Sequence, residues 1–216
     1  MNKQLRFKVA TMTVKFLVKS VRRGFFALAF AFVLVPAIAI AQQKPLAEAR
    51  MNELGPENSQ MAQRAGIWDV VETTWESPDA APTTKKLVAE RKMIGSFLQE
   101  IIAPTPNAAA ADIKRIDYLS FNRVEGRWKY ISMDTRVPAG MMPAASDEPG
   151  ENGTITFRFE PFAVTGSGAD VTGQMLRMKQ IIIQKDADHD QKDQYFAPAG
   201  GSGKMQLGHR YEYVRR

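Results

Sequence analysis

The chain of 216 residues has no cysteine and only two histidines. Without cysteine it has no disulfide bridge, no thiolate nucleophile and no cysteine-ligated metal. With only His189 and His209 available, a zinc site would need carboxylates to complete its ligands. The sequence also lacks a Gly-x-Ser-x-Gly motif, which marks one large class of serine hydrolases. The fold must therefore rest on a buried core, and no nucleophilic catalyst is indicated.

Acidic residues are missing from the first 41 positions, where seven cations lead into an apolar run over residues 24–40. The run ends in Ala39-Ile40-Ala41, the small-residue pattern at which secretory signal peptides are cleaved. We therefore predict a signal peptide over residues 1–41 of the Gram-negative type, and a periplasmic or secreted protein.

Cleavage changes the charge of the protein that has to be explained. It removes seven of the 29 basic residues, so 22 remain against 23 acidic residues in a mature chain of 175. The mature protein is then almost neutral, and no nucleic-acid partner is predicted. Contact with the membrane is expected only through the signal segment before cleavage.

Two alternatives concern this segment. The apolar run approaches the roughly 20 residues of a membrane-spanning helix, although Pro36 and the small residues after it favour cleavage. Arg22-Arg23 followed by Gly24-Phe25-Phe26 is similar to a twin-arginine export signal, so both export routes remain open. No cysteine follows the run, which excludes a lipid-anchored lipoprotein.

The mature chain changes character at residue 65. Residues 42–64 are polar and predict a linker followed by a short helix over 56–64. Residues 65–216 contain short runs of Val, Ile, Phe, Tyr, Trp and Thr separated by Gly, Pro, Asn and Asp, a pattern typical of strands and turns. About nine strands are predicted, over 67–75, 87–93, 97–102, 113–121, 127–134, 154–159, 176–184, 191–196 and 208–214.

With no helix between these strands, we expect an all-β protein with an antiparallel, up-and-down barrel in a single domain. A sheet of so many strands curls, and closure removes its edges. The connections 136–150 and 161–173 are too long for simple turns. Loops of that length are more often functional or disordered than plain linkers.

Several groups of residues form an ordered set that spans roughly residues 55–214. They are Gly55-Pro56-Glu57, Ala65-Gly66-Ile67-Trp68, Met93 to Glu100, Tyr118 with Asn122, Arg127 to Tyr130, and Met133-Asp134. Together they resemble the bacterial family called domain of unknown function 1579. The resemblance implies a lipocalin-like, or calycin-like, β-barrel. It implies no activity, because none is established for the family.

Gly66 and Trp68 also resemble the lipocalin signature, in which a short helix leads into the first strand. In that fold the tryptophan closes the barrel floor and an arginine of the last strand packs across it. The resemblance therefore implies closure by Trp68 with Arg210 or Arg215, because a guanidinium stacks well on an indole face.

The hairpin over residues 113–134 is the best candidate for a binding site. If one face of each strand looks into the same space, aromatic rings and hydroxyl groups line a pocket, as ligand sites require. The predicted pocket residues are Tyr118, Ser120, Trp128, Tyr130 and Ser132. The opposite face is equally apolar and is the alternative interior; it carries Leu119, Phe121, Ile131 and Met133.

Cations inside the predicted strands are a second indication of binding. Arg158 lies between two phenylalanines, and Arg177 shares a face with Lys179 and two isoleucines. An arginine that points into the barrel would favour a carboxylate or phosphate on a ligand. The alternative is a solvated outer face, because lysine and arginine are rarely buried without a partner.

No metal or cofactor is predicted. The run over residues 186–190 superficially resembles a calcium loop, but Gln191 stands where glycine is needed and Ala197 where glutamate is needed. His209 is compatible with haem, which some calycin-like barrels hold through one histidine. A single histidine is more often structural.

Three functions follow from these features. The leading one is a non-enzymatic envelope protein that binds a small amphipathic molecule. The second is a small barrel enzyme that acts on a lipid-like or carbonyl substrate, with Glu100 or Asp134 as the base. The third is an interaction module of the envelope that uses the apolar Met141-Met142 pair. The oligomeric state is left open.

Overall fold

The computed structural model describes residues 53–165 and 173–216. They form one short helix, α1 (Pro56–Ala62), a 3₁₀ helix (Ala110–Asp112) and eleven strands. The strands are β1 (Gly66–Thr74), β2 (Thr83–Ile94), β3 (Phe97–Ala103), β4 (Arg115–Asn122), β5 (Arg127–Asp134), β6 (Met141–Ser146), β7 (Thr154–Phe159), β8 (Phe162–Val164), β9 (Gln174–Gln184), β10 (His189–Pro198) and β11 (Gln206–Arg215).

Ten of these strands close into an antiparallel barrel. Strands β1 to β7 pair in sequence, β7 pairs with β9, β9 with β10, β10 with β11, and β11 returns to β1. The short β8 pairs with the N-terminal part of β9, where Phe162 lies opposite Leu176. Closure leaves the barrel without an unpaired edge, as was predicted for a sheet of this size.

The predicted strand count was too low because β6 was taken for a loop. Pro143 lies in the middle of β6, and proline is normally excluded from paired strands because it lacks an N–H donor. Here Pro143 pairs with Ile131, and its carbonyl oxygen accepts a hydrogen bond of 3.1 Å from the Glu160 backbone N–H. The all-β barrel is therefore confirmed, with ten barrel strands instead of nine.

Helix α1 closes one end of the barrel. Met61 is buried against Leu98 and Leu119, and the Gln60 side chain donates to Gln184 on β9 at 2.7 Å. The helix ends two residues earlier than predicted. We call this the closed end. The opposite end, where β1 and β5 finish and β6 begins, carries only the short 3₁₀ helix in the described part of the chain and is called the open end.

Alternation along the strands decides which side chains fill the barrel. The burial patterns of β5 and β7 alternate strictly through their central residues, with every second side chain buried. Apolar side chains form the core in two clusters, one around Trp128, Tyr130 and Phe157 and one around Trp68 and Tyr213. Charged and amide side chains share this interior, which is unusual for so small a barrel.

Three predicted features fall wholly or partly on residues whose structure is not described. The signal peptide over 1–41 lies outside the described residues, as do 42–52 of the predicted linker and part of the 161–173 connection. No helix in the described ranges is both long and apolar enough to span a membrane.

Candidate functional site

The predicted pocket is split between the two sides of the sheet. In the β4–β5 hairpin Tyr118 pairs with Ile131 and Ser120 with Lys129, whereas Leu119 pairs with Tyr130. Leu119 and Tyr130 are buried inside the barrel, so Tyr118 and Ser120 lie on its outer face. The Tyr118 hydroxyl accepts a hydrogen bond of 2.5 Å from Gln99 there.

The other three predicted pocket residues lie inside the barrel. Trp128, Tyr130 and Ser132 are all buried and follow one another along the inner face of β5. The prediction that the Tyr118 face of β4 and the Tyr130 face of β5 lie on the same side of the sheet is therefore wrong. The hairpin register pairs Tyr118 with Ile131 and Tyr130 with Leu119. The register follows from the Asn122 and Arg127 pair that closes the loop.

The two predicted anchoring arginines both point away from the interior. Arg158 pairs with Ala145 on the outer face of the barrel and forms an ion pair with Asp147. Its side chain is 64% exposed. Arg177 donates to the carbonyl oxygens of Pro198 (3.3 Å) and Gly201 (2.8 Å) at the outer rim. The expectation that either arginine reaches into the barrel is therefore wrong, and the solvated alternative describes both.

Closure of the floor uses Arg215 instead of Arg210. The Arg215 guanidinium lies 4.3 Å from the Trp68 ring centroid, and its Nη1 donates to the Ala65 carbonyl at 2.8 Å. Arg210 faces outward and pairs with Asp193 at 2.8 Å. The two arginines lie five positions apart, on opposite faces of β11, so only one of them can face Trp68. Trp68 itself is fully buried, as predicted.

The closed half of the barrel contains a network of buried charges. Lys192 on β10 reaches across the interior and binds Glu100 (2.6 Å) and Asp117 (2.9 Å). Arg91 binds the other Glu100 oxygen at 2.6 Å and Asp190 at 2.5 Å, and Arg64 binds Asp190 at 3.1 Å. We call these six residues the closed-half network. Its three cations match three carboxylates.

Aromatic side chains complete this network. Tyr130 donates to Asp117 at 2.6 Å, and Tyr213 donates to Glu100 at 3.2 Å. Arg91 lies between the rings of Trp68 (4.6 Å) and Tyr213 (4.4 Å). A void of only about 40 Å³ remains beside these groups, which is room for water and not for an organic ligand.

The network fixes the charge state of its members. Burial alone would raise the pKa of Glu100, but the charges of Lys192 and Arg91 lower it from 4.5 to about 2. Burial would likewise lower the pKa of Lys192, but Asp117 and Glu100 raise it well above its usual value. Glu100 and Lys192 therefore stay ionised at neutral pH.

The open half of the barrel contains a cavity of about 510 Å³. One side of it is apolar and is formed mainly by Val137, Met142, Phe162, Leu176, Met178 and Phe196. The other side is charged and is formed by Arg115, Asp134, Arg136 and His209. A small molecule with an apolar body and a polar end matches both sides, because few polar groups in an otherwise apolar cavity fix orientation.

Two carboxylates, those of Asp134 and Glu72, connect the charged residues at the open end. Asp134 accepts from Arg136 at 2.8 Å and from Arg115 at 3.1 Å. Glu72 accepts from Tyr211 at 2.8 Å, and it lies 3.3 Å from both Arg136 and the ring nitrogen Nδ1 of His209. We call these six residues the open-end cluster.

The carboxylates of this cluster are strongly acidic. Burial opposes ionisation of Glu72, but the hydrogen bond from His209 and the charge of Arg136 lower its pKa from 4.5 to about 2. Burial opposes ionisation of Asp134 as well, and the hydrogen bonds and charges of Arg136 and Arg115 lower its pKa from 3.8 to about 2. Carboxylates this acidic are poor general bases at neutral pH.

Among the described residues, Arg115 is the member of the open-end cluster that has buried nitrogen atoms without a hydrogen-bond partner. It is 6% exposed, and its Nη2 binds Asp134. Its Nε and Nη1 atoms have no hydrogen-bond partner within the described residues. Buried polar groups are normally hydrogen-bonded, so such a group in the wall of a cavity needs an explanation.

The sequence analysis missed both charged clusters: it expected Arg158 or Arg177 inside the barrel and considered Glu100 and Asp134 only as possible bases. A signal was present: Arg115 and Asp117 are separated by one residue in β4, and so are Asp190 and Lys192 in β10. Strict alternation puts both members of each pair on one face. Opposite charges on the same face of two strands are able to pair inside a barrel.

The remaining predicted positions are easily placed. His189 pairs with Asp186 at 2.9 Å at the exposed tip between β9 and β10. Within the described ranges, no three histidine, aspartate or glutamate side chains are grouped closely enough to hold a metal ion. Met141 is 71% exposed, whereas Met142 is buried in the cavity wall, so the apolar pair does not form a continuous outer surface.

The fold and the site define a class: a closed ten-stranded antiparallel barrel whose interior carries a matched charge network in one half and an amphipathic cavity in the other. The family model described as "Protein of unknown function (DUF1579)" matches residues 53–212. The chain belongs to this family, as the sequence resemblance indicated.

Two further comparisons add little to this assignment. The crystal structure of Rv2717c from M. tuberculosis is similar at 14% sequence identity and a TM-score of 0.47, covering 76% of this chain and 99% of that one. None of the curated proteins matches the chain.

Proposed function

We propose that the protein is exported to the cell envelope and there binds a small amphipathic molecule in the cavity at the open end of its barrel. The single observation that carries the proposal is the cavity of about 510 Å³ with one apolar and one charged side. Ligand sites in proteins have this size and this mixture of walls.

The position of the proposed site differs from the one expected from sequence. Tyr130 and Trp128 line the closed half, where only a void of about 40 Å³ remains next to Tyr130. The open end instead offers Met142, Met178 and Phe196 as apolar walls. The proposed ligand is still a small amphipathic molecule, as in the sequence analysis, but the residues proposed to bind it are different.

Export is the second half of the proposal and rests on the sequence alone. Seven cations, an apolar run and the Ala39-Ile40-Ala41 ending support a cleaved signal peptide. One experiment tests both halves. The full chain is expressed in a bacterium, released from the periplasm by osmotic shock and analysed by native mass spectrometry.

We expect the mass of residues 42–216 together with a heavier species that carries a small molecule. Denaturing the same sample should release that molecule for identification. A protein found only in the cytoplasm at full length would contradict export. A single ligand-free mass would count against binding, unless the cavity binds the added dye described next.

A dye experiment tests the cavity directly. Prodan, a neutral amphipathic naphthalene, should bind with increased visible emission, because its ring system fits an apolar wall. Leu176→Trp should weaken this binding at least fivefold, because Leu176 lines the cavity. Met175→Trp is the matched control, since the neighbouring Met175 is 48% exposed on the other face of β9. Equal binding by both variants would contradict the site.

The enzyme alternative has weaker support. Glu100 and Asp134 both lie inside the barrel, which that alternative required. Each is paired with cations and has a pKa of about 2, so neither is suited to accept a proton. Binding without chemistry is the function that the geometry supports best.

A further inference from the structure

Behind the side chains that line the open-end cavity lies a layer of buried polar atoms that lack partners among the described residues. Moving two residues inward along each strand from the cavity wall leads from Met178 to Gln180, from Phe196 to Gln194 and from Asp134 to Ser132. Gln180 Nε2, Gln194 Oε1 and Ser132 Oγ are all buried and without a hydrogen-bond partner in the described part of the chain.

Arg115 stands at the border of this layer. Its Nη2 is bound to Asp134 at 3.1 Å, while Nε and Nη1 are buried and unpartnered among the described residues. The same strand carries Asp117 one step deeper, with Oδ2 bound to Lys192 and Oδ1 unpartnered. Of these unpartnered groups, the Arg115 guanidinium would form the strongest hydrogen bonds with an acceptor, because its hydrogen bonds are charge-assisted.

Unpaired buried polar groups cost free energy. In a sealed interior such groups are a defect. Arg115 lines the cavity of about 510 Å³, so an occupant that reaches its guanidinium can supply the missing partners. The occupant must supply acceptor oxygens to Arg115.

The charges nearby limit the charge of that occupant. Arg115 and Arg136 balance Asp134 and Glu72, so the open-end cluster is neutral when His209 is neutral. A monoanion adds one charge to this balance, and a phosphate dianion adds two. Because uncompensated charge is costly away from water, a monoanion is favoured over a dianion, and the unpartnered nitrogen atoms of Arg115 favour the monoanion over a neutral ligand.

On these grounds we propose that the ligand is an apolar carboxylic acid, whose carboxylate binds Arg115 Nε and Nη1 and whose hydrocarbon body lies against Met142, Met178 and Phe196. This inference rests on the proposed function, because it requires the same cavity to be a binding site. It adds the chemical class of the ligand and names Arg115 as the anchor.

A pair of probes with the same tail tests the carboxylate. Binding of decanoate and of 1-decanol to the mature protein is measured by displacement of prodan. We expect decanoate to bind at least tenfold more tightly than decanol. Decyl phosphate is the third probe, and we expect it to bind more weakly than decanoate. Equal affinities for decanoate and decanol, or tighter binding of decyl phosphate, would overturn the inference.

A variant tests the anchor. Arg115→Met keeps an unbranched side chain as far as the position of Nε but removes the guanidinium, and it should lower decanoate affinity at least tenfold while changing decanol affinity less than twofold. Arg177→Met, on the outer rim, is the control and should change neither. Retention of decanoate affinity in Arg115→Met would overturn the assignment of the anchor. The comparison of the three probes on the unaltered protein decides the ligand class even if Arg115→Met does not fold.

The two proposals fail in different ways. If decanol and decanoate bind equally and Leu176→Trp weakens both, the cavity is a binding site and only the carboxylate is wrong. If no probe binds and Leu176→Trp has no effect, the proposed function itself fails.

Discussion

The closed half and the open half of the barrel interior both contain buried charges, but only one of them has space beside the charges. In the closed-half network every cation has a carboxylate partner between 2.5 and 3.1 Å away, and the void is about 40 Å³. At the open end the cavity is about 510 Å³ and Arg115 keeps two unpartnered nitrogen atoms. Buried charge alone therefore does not mark a ligand site. Incomplete pairing next to open space does.

The difference also separates two physical roles. A matched network of buried ions adds little net stability compared with apolar residues of the same size, but it makes the fold intolerant to loss of any one member. Arg115 has two unpartnered nitrogen atoms. Its replacement should therefore lower stability less than the loss of a closed-half cation does, and it should weaken ligand binding more. The predictions below use this contrast.

The largest expected effect is the loss of Lys192. Lys192→Met leaves Glu100 and Asp117, which lie side by side on the neighbouring strands β3 and β4, without their shared cation. We expect a loss of about 4 kcal/mol in the free energy of unfolding, the usual cost of breaking a buried ion pair. Urea unfolding followed by circular dichroism measures it.

Lys179→Met is the control for this change. Lys179 faces outward on β9 beside the Tyr195 ring and belongs to neither charged cluster. It should cost less than about 1 kcal/mol, as surface charges do. A Lys192→Met protein as stable as this control would show that the closed-half network is not a structural unit.

Acid should destabilise the protein through both halves. Glu100 in the closed half and Glu72 and Asp134 at the open end all have a pKa of about 2 in the folded protein. Their values in the unfolded chain are 4.5 for glutamate and 3.8 for aspartate. A depressed pKa stabilises the fold above the unfolded value, and that contribution disappears as the pH falls from about 5 to about 2.

We expect the melting temperature to be constant between pH 7 and pH 5 and to fall steeply below, with a combined loss of about 3 kcal/mol by about pH 3.5. Differential scanning calorimetry across this range measures the slope. Glu72→Gln removes one open-end contributor and should flatten the slope. A melting temperature at pH 3 equal to that at pH 7 would contradict the assigned ionisation of all three groups.

The fold was largely predictable because it depends on local patterns. Alternating apolar residues, the turn residues Gly95 and Gly126, and the short helix before Trp68 all appear in the sequence, and both turn glycines adopt positive φ angles of 58° and 67°. Strand β6 was missed because Pro143 contradicts the usual composition of a strand. Its pairing depends on neighbours that are distant in sequence.

The site was less predictable because register decides it. Whether Tyr118 or Leu119 faces the interior depends on the register between β4 and β5. A slip of one residue in that register would exchange the inner and outer faces of a strand. The buried cations Lys192 and Arg91 were not predicted, because lysine and arginine are seldom buried without a partner. Lys192 binds Glu100 and Arg91 binds Asp190, and both partners are distant in the chain.

The smallest expected effect compares two hydroxyl groups. Tyr130→Phe removes a donor to Asp117 in the closed half (2.6 Å), whereas Tyr118→Phe removes an acceptor for Gln99 on the outer face (2.5 Å). We expect Tyr130→Phe to lower the free energy of unfolding by about 2 kcal/mol, because the hydrogen bond is buried and its acceptor is charged. Tyr118→Phe should lower it by less than about 1 kcal/mol, since water replaces the lost partner.

The two variants also separate stability from binding. Tyr130→Phe should leave the affinity for decanoate unchanged within twofold, because Tyr130 borders the small closed-half void and not the cavity. Arg115→Met is expected to show the reverse, with weaker binding and a smaller loss of stability. If Tyr130→Phe weakened decanoate binding as much as Arg115→Met, the ligand would have to reach the closed half. The division of the interior into a structural half and a binding half would then be wrong.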